Sequence, residues 1–171
     1  MKNKAFTLIE LLVVVAIIGI LSSIGIVTFN GFIQSAEVSR IKTNYNQVVK
    51  LIRTELLKCE TGSSKIFINS LGWFTSCQSL NPGTIIPNVQ QLAFDQGFKT
   101  TTNGWGIVKN TGSSNNDSNI GLIFLNGGGH DLTYNPGFSP SLTGNSFRVT
   151  TCFKIPCSDQ NNQLQAVIIL P

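Results

Sequence analysis

The sequence predicts an α+β fold. A long N-terminal helix, hydrophobic and protruding in its first half, should pack through its second half on a C-terminal antiparallel β-sheet in a lollipop shape. Three observations carry this. No charged residue occurs from Leu11 through Ala36. Ile41, Tyr45, Val48, Ile52 and Leu56 then recur at spacings of four, three, four and four, one apolar stripe on a helix. Finally, short β-rich runs separated by turn residues fill the C-terminal part, with no helical crossover pattern between them, so an antiparallel sheet is expected.

The chain opens on Met1-Lys2-Asn3-Lys4-Ala5, which is basic and free of acids. Its lysines favour retention on the cytoplasmic side of a membrane. Residues 1–5 read as a leader, 6–30 as a membrane-spanning or filament-core helix, and 31–171 as a globular head. Phe6 to Ser23 alone covers roughly 27 Å as a helix, close to a bilayer's hydrocarbon thickness. Ser23-Ile24-Gly25 offers a small-x-small pattern that an ordinary signal peptidase would read. Against that alternative stands Glu10, an acid that serves nothing in the apolar part of a disposable peptide. A carboxylate in a membrane helix costs on the order of 2–3 kcal/mol, so it calls for a partner.

The motif Ala5-Phe6-Thr7-Leu8-Ile9-Glu10-Leu11 resembles the processing site of type IV pilins and the related pseudopilins. The resemblance covers about the first thirty residues. It departs from the family at Ala5, where Gly is usual, and in having no proline before Pro82. It implies cleavage between Ala5 and Phe6 by a prepilin peptidase, N-methylation of Phe6, and polymerisation into a homo-oligomeric helical filament by a pilus assembly machinery. The subunit would cross the cytoplasmic membrane once before assembly, then stand in an extracellular filament, or in a periplasmic one if it is a pseudopilin of a type II secretion system. Glu10 would meet the Phe6 amine of a neighbouring copy and fix register, since either charge alone is expensive in a low-dielectric bundle.

No proline interrupts Phe6 through Lys58, so one helix of roughly 80 Å is expected, ended by Gly62. Gly19, Gly25 and Gly31 weaken it locally. Residues 60–102 read as an irregular connection with a short strand at Lys65–Ile68 and a short helix at Val89–Phe94. The sheet occupies 103–171, with strands at Trp105–Val108, Ile120–Leu125, Ser146–Phe153 and Gln165–Leu170.

Four cysteines, all beyond the apolar helix, point to two disulfides in an oxidising compartment. Pairing Cys59 with Cys77 and Cys152 with Cys157 closes the shortest loops. A zinc site is disfavoured, because no Cys-x-x-Cys occurs and His130 is the one histidine. No metal, cofactor or catalysed reaction is expected. His130-Asp131 lacks a nucleophile placed beside it, and Gly127-Gly128-Gly129 lacks the Lys-Ser/Thr of a phosphate loop. Asn115 to Asn119 offers oxygen ligands but a single carboxylate, a weak calcium pattern. Trp73, Phe74, Trp105 and Phe147 read as core or surface aromatics, with ligand stacking as the alternative.

The net charge is +4; without Lys2 and Lys4, ten basic side chains face eight acids. That is too mild to indicate nucleic-acid binding by bulk charge. A minor subunit acting as adhesin or DNA-uptake receptor is the binding-class alternative. It requires Lys65, Lys99, Lys109, Arg148 and Lys154 to cluster on one exposed face. The connection and the C-terminal disulfide region are the expected contact surfaces of the head.

Overall fold

The computed structural model describes residues 6–98, 108–109, 116–127 and 145–171, excepting the side chains of 24–30 and 109. Helix α1 (Leu8–Glu60) runs 53 residues without a break. Gly62 ends it at φ +96°, with Ser63 N–H donating to Lys58 C=O and Gly62 N–H to Cys59 C=O. These two bonds satisfy carbonyls that the last turn would leave open, and the left-handed φ between them favours glycine.

The chain divides into two compact units, Met1–Ser39 and Arg40–Pro171. In the first, large apolar side chains from Phe6 to Leu21, and Phe32 and Ile33, are exposed around the helix. In the second, the predicted stripe is the buried face: Ile41, Tyr45, Val48, Ile52 and Leu56 are all covered, joined by Val49. The Tyr45 hydroxyl donates to Val149 C=O at 3.3 Å. Burial pushes its pKa well up, with Arg53 opposing.

The sheet has the order β3 (Val108–Lys109), β4 (Ile123–Gly127), β5 (Ser146–Cys152), β6 (Gln163–Ile169). The β4–β5 and β5–β6 pairs are antiparallel, with Leu125 opposite Val149 and Phe147 opposite Ile168. The antiparallel expectation gains one exception: β3 lies parallel to β4, Val108 opposite Ile123. Alternation along the strands places Ile123, Leu125, Phe147, Val149 and Ile168 on the face that meets α1, where they close the hydrophobic core. Trp105, expected to open a strand, lies outside the described residues, as do His130, Asp131, Gly128 and Gly129.

The expected connection is more ordered than its composition implies. A hairpin of two-residue strands, β1 (Lys65–Ile66) with β2 (Thr75–Ser76), is followed by α2 (Pro82–Asp95). Asn81 caps α2 by accepting from Thr84 N–H at 3.0 Å, and Pro82 takes the first helical position, where a missing N–H costs nothing. Ile85, Ile86, Val89 and Ala93 of α2 complete the core.

Helix α2 also crosses the end of β4 closely. A Cβ added at Gly127 would stand 2.8 Å from Pro82 Cβ and 3.4 Å from Ile86 Cδ1. Gly127→Ala is therefore expected to destabilise the head by about 1–3 kcal/mol, read as a lowered urea midpoint at unchanged slope.

Candidate functional site: the N-terminal helix end and the head surface

Thr7-Leu8-Ile9-Glu10 builds the start of α1. The Glu10 carboxylate accepts from Thr7 N–H at 2.9 Å and from Thr7 Oγ1 at 2.8 Å, and Glu10 N–H reaches Thr7 Oγ1 at 3.4 Å. This reciprocal arrangement is a capping box, which satisfies backbone donors that a helix start leaves open. The Thr-x-x-Glu spacing carries this role for Thr7 in the sequence, where Glu10 reads as a charge in need of a partner. Both bonds to the carboxylate fall on Oε2; Oε1 is engaged by no described residue. The carboxylate thus folds back onto Thr7, the residue after Phe6, beside a shallow pocket lined by Phe6, Ile9, Val13 and Val14. Phe6 itself is 80% exposed, and Ala5 lies outside the described residues.

The apolar surface downstream has no cover in the single chain. Fully burying one such Leu, Ile or Val is worth roughly 1.5–3 kcal/mol, so together these side chains dominate the energetics of the segment. Among the described residues no helix is long and apolar enough to cross a membrane. The described part of the apolar run, Leu8–Ser23, is shorter than the roughly 20 residues such a span takes.

At the other end of α1, Cys59 is bonded to Cys77, and near the C-terminus Cys152 is bonded to Cys157. Between Cys59 and Cys77 the hairpin is held from several sides. Glu55 accepts from Phe67 N–H at 2.9 Å and pairs with Lys58; Asp95 takes the N–H and hydroxyl of Ser70. Asn69 Oδ1 accepts from Leu71 and Trp73 N–H. The hairpin exposes Ile68, Leu71, Trp73 and Phe74, with Lys65 Nζ 4.0 Å from the Phe74 ring centre. Of the aromatics weighed for stacking, Phe147 is buried in the core.

Two candidate sites fare differently. In the oxygen-rich stretch, Asp117 Oδ1 accepts from Cys157 N–H at 2.6 Å and Asn116 Oδ1 from Ser118 N–H and hydroxyl. Asp117 thus ties the loop to the Cys152–Cys157 turn, while Asn116 caps the loop's own short turn. Among the described residues no group of acidic, histidine or cysteine side chains gathers as a metal site would require. The basic face required by a DNA receptor needs a correction. Arg148 is 1% exposed, because β5 is an inner strand buried along its whole length. Lys65 and Lys154 remain exposed, while Lys99 and the Lys109 side chain lie outside the described residues.

An apolar helix capped at its start by Thr7 and Glu10, followed by a disulfide-braced α+β head, defines a class of helix-first α+β proteins. Residues 1–26 match the family described as the prokaryotic N-terminal methylation motif. The chain is 42% identical over 74 residues to a type IV major fimbrial protein FimA of Dichelobacter nodosus, and 41% identical over 88 residues to another from that organism. Those stretches cover 43% and 48% of this chain, and the chain spans about half the length of these relatives, 45% and 54%. Prepilin peptidase-dependent protein D of Escherichia coli (strain K12) is 30% identical over 120 residues, covering 67% of this chain and 76% of that protein. No solved structure matches the chain. The chain belongs to the type IV pilin family.

Proposed function

We propose that the protein is a structural subunit of a type IV pilus-like filament, made as a membrane-anchored precursor. A prepilin peptidase removes residues 1–5, Phe6 becomes the N-methylated first residue, and copies assemble through the apolar helix. The observation that carries the reading is a helix surface exposed all round, interrupted near its start by one carboxylate. Such a surface needs lipid or further copies of itself, and lateral packing of helices supplies the second once the subunit leaves the bilayer. The methylated Phe6 amine keeps its positive charge. With Oε2 capping α1, Oε1 of Glu10 accepts the amine of a neighbour displaced along the fibre. Any energy for extraction comes from the assembly machinery, since the chain has no nucleotide-binding motif. No catalysis is assigned.

A pseudopilin of a type II secretion system would use the same N-terminal chemistry; similarity to the two fimbrial proteins favours the pilus. Mass spectrometry of the protein's N-terminal peptide, from the cell surface, tests the reading. A start at methylated Phe6 is expected. A start after Gly25 would mean ordinary secretion and would overturn it.

A further inference from the structure

Asn116-Asp117-Ser118 is the one Asn-x-Ser/Thr triplet in the chain. With any residue but proline in the middle, this triplet is the acceptor pattern for N-linked glycans on exported proteins. The spacing has a physical basis. A hydroxyl two residues after an asparagine is near enough to reach the side-chain amide across a tight turn. Such a triplet can be used only where the fold displays it, and three features do so here.

The first is exposure. Asn116, Asp117 and Ser118 all lie open on the head surface, whereas Asn69, Asn88 and Asn126 are buried. The second is the turn itself. Asn116 Oδ1 accepts from Ser118 N–H at 3.0 Å and from Ser118 Oγ at 2.9 Å, so the hydroxyl and the amide already meet. Both bonds fall on the oxygen, and no described residue engages Nδ2. The third is the middle residue. Asp117 Oδ1 takes the Cys157 N–H, so this carboxylate is committed to the disulfide turn and not to the Asn116 nitrogen. Gly121 N–H donates to Cys152 C=O at 2.9 Å and fastens the far end of the loop to the same turn.

We propose that Asn116 is an N-glycosylation site, which takes an oligosaccharide from a polyprenyl diphosphate donor once the head has left the cytoplasm. Nδ2 attacks the anomeric carbon of the first sugar. A new N–C bond forms, the C–O bond to the diphosphate breaks, and its electron pair leaves with the diphosphate. One Nδ2 proton passes to a base of the transferring enzyme. An amide nitrogen is a poor nucleophile, because its lone pair is shared with the carbonyl. As it gives up a proton, negative charge builds on Oδ1, where the two Ser118 donors already point. The turn therefore assists the acceptor as well as displaying it. Export is all that the site requires, and the two disulfides belong to an oxidising compartment. Polymerisation is not needed.

Peptide mass spectrometry of the whole mature chain, taken from the cell envelope of its native host, tests the site. The tryptic peptide from Asn110 to Arg148 should carry a sugar mass that fragmentation places on Asn116. Asn116→Asp keeps an acceptor oxygen for the turn and removes only the nitrogen, so the head still folds and the sugar should be lost. Ser118→Ala should lose it as well, and Ser118→Thr should keep it. An unmodified Asn116 in the wild-type chain overturns the proposal. A sugar that persists in folded Asn116→Asp, and so sits on a hydroxyl instead, overturns it too. So does full occupancy in Ser118→Ala. A chain that forms no fibres can still carry the sugar, so this inference and the filament reading fail separately.

Discussion

Glu10→Ala is expected to abolish filament assembly while leaving the protein in the membrane fraction. Removing a carboxylate from an apolar segment lowers the cost of insertion by about 2–3 kcal/mol, so anchoring does not suffer. The variant loses two things: the cap on α1 and the charge proposed to meet a neighbour's amine. Two further variants separate them. Thr7→Val removes the hydroxyl of the cap, worth about 1 kcal/mol, and keeps the carboxylate. Glu10→Gln keeps an acceptor for Thr7 N–H and loses the charge. An ion pair at about 4 Å is worth roughly 4 kcal/mol at an effective dielectric of about 20. Glu10→Gln should therefore resemble Glu10→Ala, with fibre yield in the sheared surface fraction close to zero, while Thr7→Val keeps much of it. Normal fibres from Glu10→Gln would remove the ion pair from the account.

Phe147→Ala should be the most damaging truncation in the head, destabilising it by about 3–5 kcal/mol. Phe147 is fully buried on β5, opposite Ile168 on one side and Gly127 on the other, on the face that receives α1. Gly127 brings no side chain of its own, and Pro82 already lies against that position. Little nearby can collapse into the void. Against a total of about 5–15 kcal/mol for a domain, the loss removes a large fraction of the stability, measurable by urea unfolding of the head. Truncating exposed Trp73 serves as the contrast, since surface changes stay within about 0.5 kcal/mol.

What the sequence reveals depends on how local the signal is. The stripe from Ile41 to Leu56 and the glycine stop at Gly62 are written within a few turns of chain, and both were legible. So was the start of α2, since Asn81-Pro82 is a cap followed by a proline; an expectation confined to Val89–Phe94 misses its first two turns. The β4 boundary moves from Ile120 to Ile123 because Gly121 turns at φ +79°, its Cα side packed against Ile41 of α1. That contact is long-range and leaves no periodicity to read. The parallel β3–β4 pair is of the same kind. Arg148 misleads for a further reason: alternation places it opposite Asn126 on the face away from α1, but not what covers that face. Near the N-terminus the charge of Glu10 was conspicuous in an uncharged run. Its bond to Thr7 was equally local, written in a spacing of three.

The Cys59–Cys77 bond has a mechanical consequence. In the proposed fibre, a pull along α1 would be resisted by shear between the buried stripe and the sheet. Should the last turn of α1 give way, the covalent path runs from Cys59 through sulfur to Cys77. Glu60 to Ser76 then carries none of the pull. The hairpin that displays Ile68, Leu71 and Trp73 would then keep its outline when the proposed fibre is stretched.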